Sequence, residues 1–276
     1  MSGLLQISDA HFGTEQPGVV DALERLSRAV SPDVVLLSGD ITQRATHAQF
    51  AAARAFVDRL QAPVTLAIPG NHDIPLFNLG ARLAAPYARY SQAFGSELEP
   101  VFASPDWLVV TVNTTRWYRH SDGEVSAEQI DRVAARLATA TPRQLRVVVT
   151  HQPVSVTRPE DHPNRLHGRE AAVARWSQAG ADLILGGHIH LPFVRPLHEA
   201  REEPAACTRA MWAVQAGTAV SSRVRAGKPN SVNIVRLQMD AHGPARACIV
   251  ERWDHSANEG EFVCAESLHL PLAPSS

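Results

Sequence analysis

Of 276 residues only three are cysteine, Cys207, Cys248 and Cys264, and no two stand in a C-x-x-C pair. An odd and scattered set offers no disulfide framework, so we read them as reduced thiols packed in the C-terminal third. No segment approaches the roughly 18 consecutive apolar residues of a membrane span. The opening MSGLLQISDAHFG has neither a basic start nor an apolar run of signal-peptide length, which predicts a soluble, cytoplasmic protein without a membrane partner. Runs of one charge are missing too: 28 acidic and 26 basic residues are interspersed, for a formal charge of −2. That balance argues against a broad nucleic-acid footprint or a polybasic membrane patch and favours a small concave substrate site. Low-complexity tracts, internal repeats and a true linker are also lacking.

What is present reads as an ordinary globular chain, 45% apolar, with 1–276 expected to form one domain. Short apolar runs end abruptly in small or polar residues at 4–8, 33–38, 64–68, 108–112, 145–150 and 182–185. Their length and Val/Ile content predict strands buried on both faces. Helical spacing lies between them. At 46–60, Phe50, Ala53, Val57 and Leu60 form one stripe behind a Thr46/Gln49 capping box, and Ser126/Gln129 repeats that signature before Ile130, Val133 and Leu137. Alternating strands and helices predict an α/β layered fold with its ligand groups in loops at the carboxyl ends of strands. Residues 195–276 change character. The runs at 211–220, 231–239 and 247–253 predict antiparallel strands finishing a sheet, 198–210 reads as an exposed loop, and 211–253 could supply the edge of a homo-oligomer.

The strand ends carry the chemistry. Asp9 and His11 follow the first, Asp40 the second, Asn71, His72 and Asp73 the third, His151 a later one, and His188 and His190 the last. Singly, each has an ordinary explanation as a turn, cap or hydrogen-bonded residue. His188 and His190, read as alternate residues of a strand, would project to one side. Together the five groups form a mixed N/O donor set suited to Mn, Fe, Zn or Co rather than to Ca or Mg alone.

The ordered blocks DAH, GD, GNHD, THQP and GGHIH, spread over 4–194, resemble the signature of the calcineurin-like metallophosphoesterases, and most resemble bacterial class III cyclic-nucleotide phosphodiesterases and glycerophosphodiesterases. The resemblance implies an αββα sandwich, two mixed β-sheets flanked by helices. It implies one metal on Asp9, His11, Asp40 and His190 and a second on Asp40, Asn71, His151 and His188, with Asp40 bridging. Such a centre, near +1 before substrate, attracts an anionic phosphate and supplies a shared hydroxide as nucleophile. His72 would reach the scissile phosphate, giving His72, Asp40 and Asn71 catalytic roles, and Asp73 would orient a neighbouring group.

Around this core, Asn113, Arg44, His120 and His167 are candidate substrate contacts. Arg116, Trp117, Tyr118, His162, Asn164 and Arg169 lie in the same loops. The expected activity is hydrolysis of a small phosphodiester, foremost a 3′,5′-cyclic nucleotide. Alternatives with the same site are a phosphomonoesterase, glycerophosphodiesterase, nuclease or hydrolase of nucleotide-linked lipids. The alternative of another class is a non-catalytic scaffold, which would be expected to lack His72 or a ligand.

Overall fold

The computed structural model describes residues 3–76, 79–198, 207, 209–239 and 246–273. Its first half runs β1 (Gly3–Ile7), α1 (Pro17–Val30), β2 (Val34–Ser38), α2 (His47–Leu60), β3 (Val64–Ile68), α3 (Leu79–Ala84), α4 (Ala88–Phe94), β4 (Val101–Ala103) and β5 (Trp107–Thr111). There follow α5 (Ala127–Leu137), β6 (Leu145–Val149), α6 (Arg169–Gln178), β7 (Leu183–Gly186), β8 (Phe193–Pro196), β9 (Trp212–Gln215), β10 (Ser231–Met239), β11 (Arg246–Ser256) and β12 (Glu261–Pro271). Short 3-10 turns occupy 71–73 and 159–164.

These strands form two six-stranded mixed sheets, ordered β12-β11-β10-β1-β2-β3 and β4-β5-β6-β7-β9-β8. Side-chain alternation explains why the runs are apolar on both faces. Leu4, Val34 and Leu36 of the first sheet meet Val147, Val149, Leu183 and Leu185 of the second in one core between the sheets. Their neighbours Leu5, Ile7, Val35 and Leu37 turn outward onto Val19, Leu23, Phe50 and Val57 of α1 and α2. Val148 and Ile184 turn the other way, onto Ile130, Val133 and Trp176 of α5 and α6. The result is the four-layer αββα arrangement.

The six strands predicted up to residue 185 lie within about a residue of those observed, whereas the run at 211–220 shortens to 212–215 and that at 247–253 lengthens to 246–256. Ser126 and Gln129 form a full capping box. At α2 only half forms: Thr46 accepts from Gln49 N, but the Gln49 side chain accepts from Arg44 N instead of turning back. The C-terminal strands serve both sheets rather than one, and β9 runs parallel to β7. Since β10 and β11 are each paired on both sides, the edges of the first sheet are β12 and β3, both outside the expected 211–253. The thiols differ in setting: Cys248 is buried between the sheets, Cys207 half-buried and Cys264 exposed, so the last departs from the packed state expected of all three. Most of the expected 198–210 loop lies outside the described residues. Among these, no helix is long and apolar enough to cross a membrane.

Candidate metal centre

Parallel β1, β2 and β3 in one sheet and β6 and β7 in the other deliver their following loops to one edge of the sandwich. The first two loops are laced by backbone, with Asp9 N donating to Gly39 O (3.1 Å) and His11 N to Asp40 O (3.0 Å). Across the sheets, the buried Gln6 amide donates to Ser38 Oγ (3.2 Å) and to Gly186 O (3.0 Å), fixing β1 and β2 against the end of β7.

The seven donors assemble there. His190 Nε2 lies 3.4 Å from Asp9 Oδ1 and 3.2 Å from His11 Nε2. Asp40 Oδ2 is 3.7 Å from His11 Nε2, while its Oδ1 is 3.3 Å from His151 Nε2. Asn71 Oδ1 sits 3.3 Å from His151 Nε2. Asp9, His11 and His190 form one group whose donor atoms all lie within 4.8 Å of one another, and Asp40, His151 and His188 form another.

Backbone conformation produces this convergence. Asp9, His11, Asp40, His188 and His190 all have φ between 43° and 73°, the left-handed region that non-glycine residues seldom enter. His188 and His190 therefore meet through a turn beyond β7, not by strand alternation. Two glycines permit the close approach: a Cβ on Gly70 would overlap the Asp40 backbone nitrogen and Oδ1, and one on Gly187 would overlap Ser8 Oγ and Asp9 Oδ2.

Supporting hydrogen bonds fix the ligand rings. His151 Nδ1 donates to Ser38 O (2.9 Å) and His190 Nδ1 to Arg223 O, so Nε2 of each faces the cluster. Asp73 is buried and accepts from Ile41 N (3.0 Å), Thr42 N (2.8 Å), Thr42 Oγ1 (2.8 Å) and Gly70 N (2.9 Å). It thus pins the Asp40 loop to the Asn71 loop through backbone rather than orienting a ligand histidine.

The electrostatics are those of a cation site. Burial alone would raise Asp9, yet His190 beside it, with His151, brings the carboxyl down to about 2. Asp40 is likewise held well below the usual range, against burial, chiefly by His151. Burial would lower His151, but the Asp40 charge lifts it to about 9, and Asp9 raises His190 in the same way. Burial drives His11 to about 3 and His188 to about 4, keeping both imidazoles neutral. Burial and the Asp40 charge push Asp73 up to about 6, against its N–H donors. The donor chemistry fits a metal: His188 Nδ1 is buried without a hydrogen-bond partner among the described residues, a costly state for an imidazole nitrogen unless a cation takes its lone pair.

Above the cluster opens a cavity of about 370 Å³, lined by Asp40, Asn71, His72, His188, His190 and Arg223, and also by His120, Ser121, Asp161, Asn164, Ile189 and Arg225. Of the candidate contacts in the loops singled out from sequence, His120 and Asn164 line it. Asn113 borders a different depression, and its Oδ1 accepts from Thr115 N (3.0 Å). Arg44 is exposed outside the cavity, and His167 stands 3.7 Å from Asp122. Arg116 pairs with Glu124, while Trp117 and Tyr118 are 46% and 54% exposed beside one another and do not line the cavity. Arg223 and Arg225 escaped sequence reasoning. They follow β9, whose parallel pairing with β7 aims its carboxyl end at this edge.

Fold and donor set define a metallophosphoesterase. Residues 3–192 match the calcineurin-like phosphoesterase family, and the chain belongs to it: it is a metal-dependent phosphoester hydrolase of a family built around a dinuclear centre. Similar curated proteins include a probable cyclic nucleotide phosphodiesterase of Synechococcus sp., 28% identical over 208 residues, which are 70% of this chain and 74% of that protein. A cAMP/cGMP dual specificity phosphodiesterase of Mycobacterium tuberculosis is 27% identical over 208 residues, 68% of this chain and 61% of that one. The fold is shared with a dimetal phosphatase from Danio rerio at a TM-score of 0.65 and 14% identity, covering 99% of each chain.

Proposed function

We propose that this chain hydrolyses small phosphodiesters, with 3′,5′-cyclic nucleotides as its substrate class. In this reading Asp9, His11, Asp40 and His190 hold one metal ion, and Asp40, Asn71, His151 and His188 hold the second. The carrying observation is the Asp40 carboxylate, which turns Oδ2 toward His11 and Oδ1 toward His151, the disposition of a bridge between two cations. When bound, two transition-metal ions such as Mn, Fe or Zn would neutralise phosphate charge and make water acidic enough to attack phosphorus near neutral pH.

The remaining work falls to the chain. Asn71 and His72 sit on the wall where a phosphoryl group must rest, and His72 N donates to Asp40 Oδ1 (2.8 Å), tying that wall to the bridging carboxylate. His72 Nδ1 donates to the Gln43 carbonyl (3.0 Å), which can only accept, so Nε2 faces the cavity. That sets the Nε2 edge of the ring beside the place of the phosphoryl group. The cavity volume suits a nucleotide-sized ligand, and both curated relatives carry cyclic-nucleotide names. The strands after residue 192 complete both sheets, which supports the whole chain working as one unit.

The test is a rate comparison over cyclic nucleotides, glycerophosphodiesters and simple monoesters, with Mn, Fe and Zn supplied in turn. The expected result is a kcat/KM for a cyclic nucleotide above those of the other classes. A preference for monoesters or glycerophosphodiesters would overturn the substrate reading, and no turnover on any ester would overturn the diesterase itself.

A further inference from the structure

We infer that Arg223 binds the substrate phosphoryl group and fixes the ring of His72, a role that deepens the reading above and rests on it. Arg223 Nη1 donates to Gln43 Oε1 (2.8 Å) and approaches His72 Nε2 at 3.3 Å. Both hydrogens of Nη1 are thereby used. Because His72 Nδ1 already gives its proton to the Gln43 carbonyl, the guanidinium meets the acceptor face of the ring, and Gln43 holds both groups at once.

The opposite edge of the guanidinium is the informative one. Nε and Nη2 have no hydrogen-bond partner among the described residues, and Arg223 lines the cavity beside Asn71, His72 and His190. An Nε–Nη2 edge presents two parallel N–H groups, the fork that matches two oxygens of one phosphate. Its neighbour contrasts: Arg225 is already used, with Nη1 on Asp161 Oδ1 and Oδ2 at 2.8 and 2.9 Å, where it ties two outer loops together. Of the two arginines, only Arg223 keeps its fork available.

The backbone of Arg223 is placed differently from its side chain. Its carbonyl accepts from His190 Nδ1 and so orients a proposed metal ligand. A side-chain substitution leaves that carbonyl in place, which separates phosphate binding from metal binding.

The experiment measures inorganic phosphate binding by calorimetry to metal-loaded wild type, Arg223→Gln and Arg223→Lys, with metal content determined for each. Arg223→Gln should weaken phosphate binding by about tenfold or more, as expected for losing charge-assisted hydrogen bonds, while metal content stays at the wild-type level. Arg223→Lys, which keeps the charge but not the fork, should fall between. In turnover the Gln variant should raise KM more than it lowers kcat. Unchanged phosphate affinity in either variant at full metal content, or a wild type that binds no phosphate, would overturn the inference. Should Arg223→Gln fail to fold, Arg223→Lys decides it. A wild type that binds phosphate through Arg223 yet hydrolyses no diester would sink the substrate reading and leave this one standing.

Discussion

The cavity is built by two sets of loops that differ in length and in backbone conformation. The inner set, at 8–12, 39–46, 69–76, 150–152 and 187–191, is short and held by backbone. Five of the eight described non-glycine residues with positive φ are donors in these loops, a conformation that costs on the order of 1 kcal/mol at each position. The outer set, at 112–126, 153–168 and 216–230, is longer; a backbone bridge between Glu124 and His167 joins its first two loops, and the side-chain ion pair Arg225–Asp161 ties the third to the second. A cation tolerates donors displaced by only a few tenths of an ångström, and backbone is the stiffest support available. A substrate tolerates more, and longer loops can adjust to it.

That contrast can be broken from the inner side first. Gly70→Ala places a methyl against the Asp40 backbone, so metal content and activity should both be lost while the circular dichroism spectrum persists. A variant that still takes up a full complement of metal would show the inner loops to be softer than described. His72→Ala comes next, with kcat lowered by about 100-fold or more at unchanged metal content, since the proposed reading assigns its side chain to the phosphate and the metal ions to other residues. Asp73→Asn swaps an acceptor oxygen for an N–H donor among four buried donors, and denaturant unfolding should read a loss of about 2–4 kcal/mol. The smallest effect belongs to two residues outside the cavity, Arg44 of the inner set and His167 of the outer. Arg44→Ala and His167→Ala, both outside the cavity, should leave kcat/KM within about twofold of wild type, inside the spread of ordinary surface changes. A larger drop in either would bring that residue back into the substrate site.

The inner loops were also the legible ones. Aspartate, asparagine and histidine placed just past apolar runs betray their purpose, because few demands other than metal binding collect those residues at five strand ends. The left-handed backbone that makes His188 and His190 converge was not legible, since their x-His-x-His spelling suits an extended strand equally well. Arg223 and Arg225 were hidden for a topological reason. Residues 212–215 read as one more antiparallel strand, and only the parallel pairing of β9 with β7 puts the following loop at the site. Asn113, a plausible contact by its place after β5, turned out to close its own turn onto Thr115.

The central claim is that one carboxylate, Asp40, serves two cations. It is tested most directly by counting metal ions per chain in wild type and in Asp40→Asn, by elemental analysis of protein purified without chelators. The account predicts two ions in the wild type and neither retained in the variant. A variant that keeps one ion at full occupancy, or a wild type that holds only one, would contradict it.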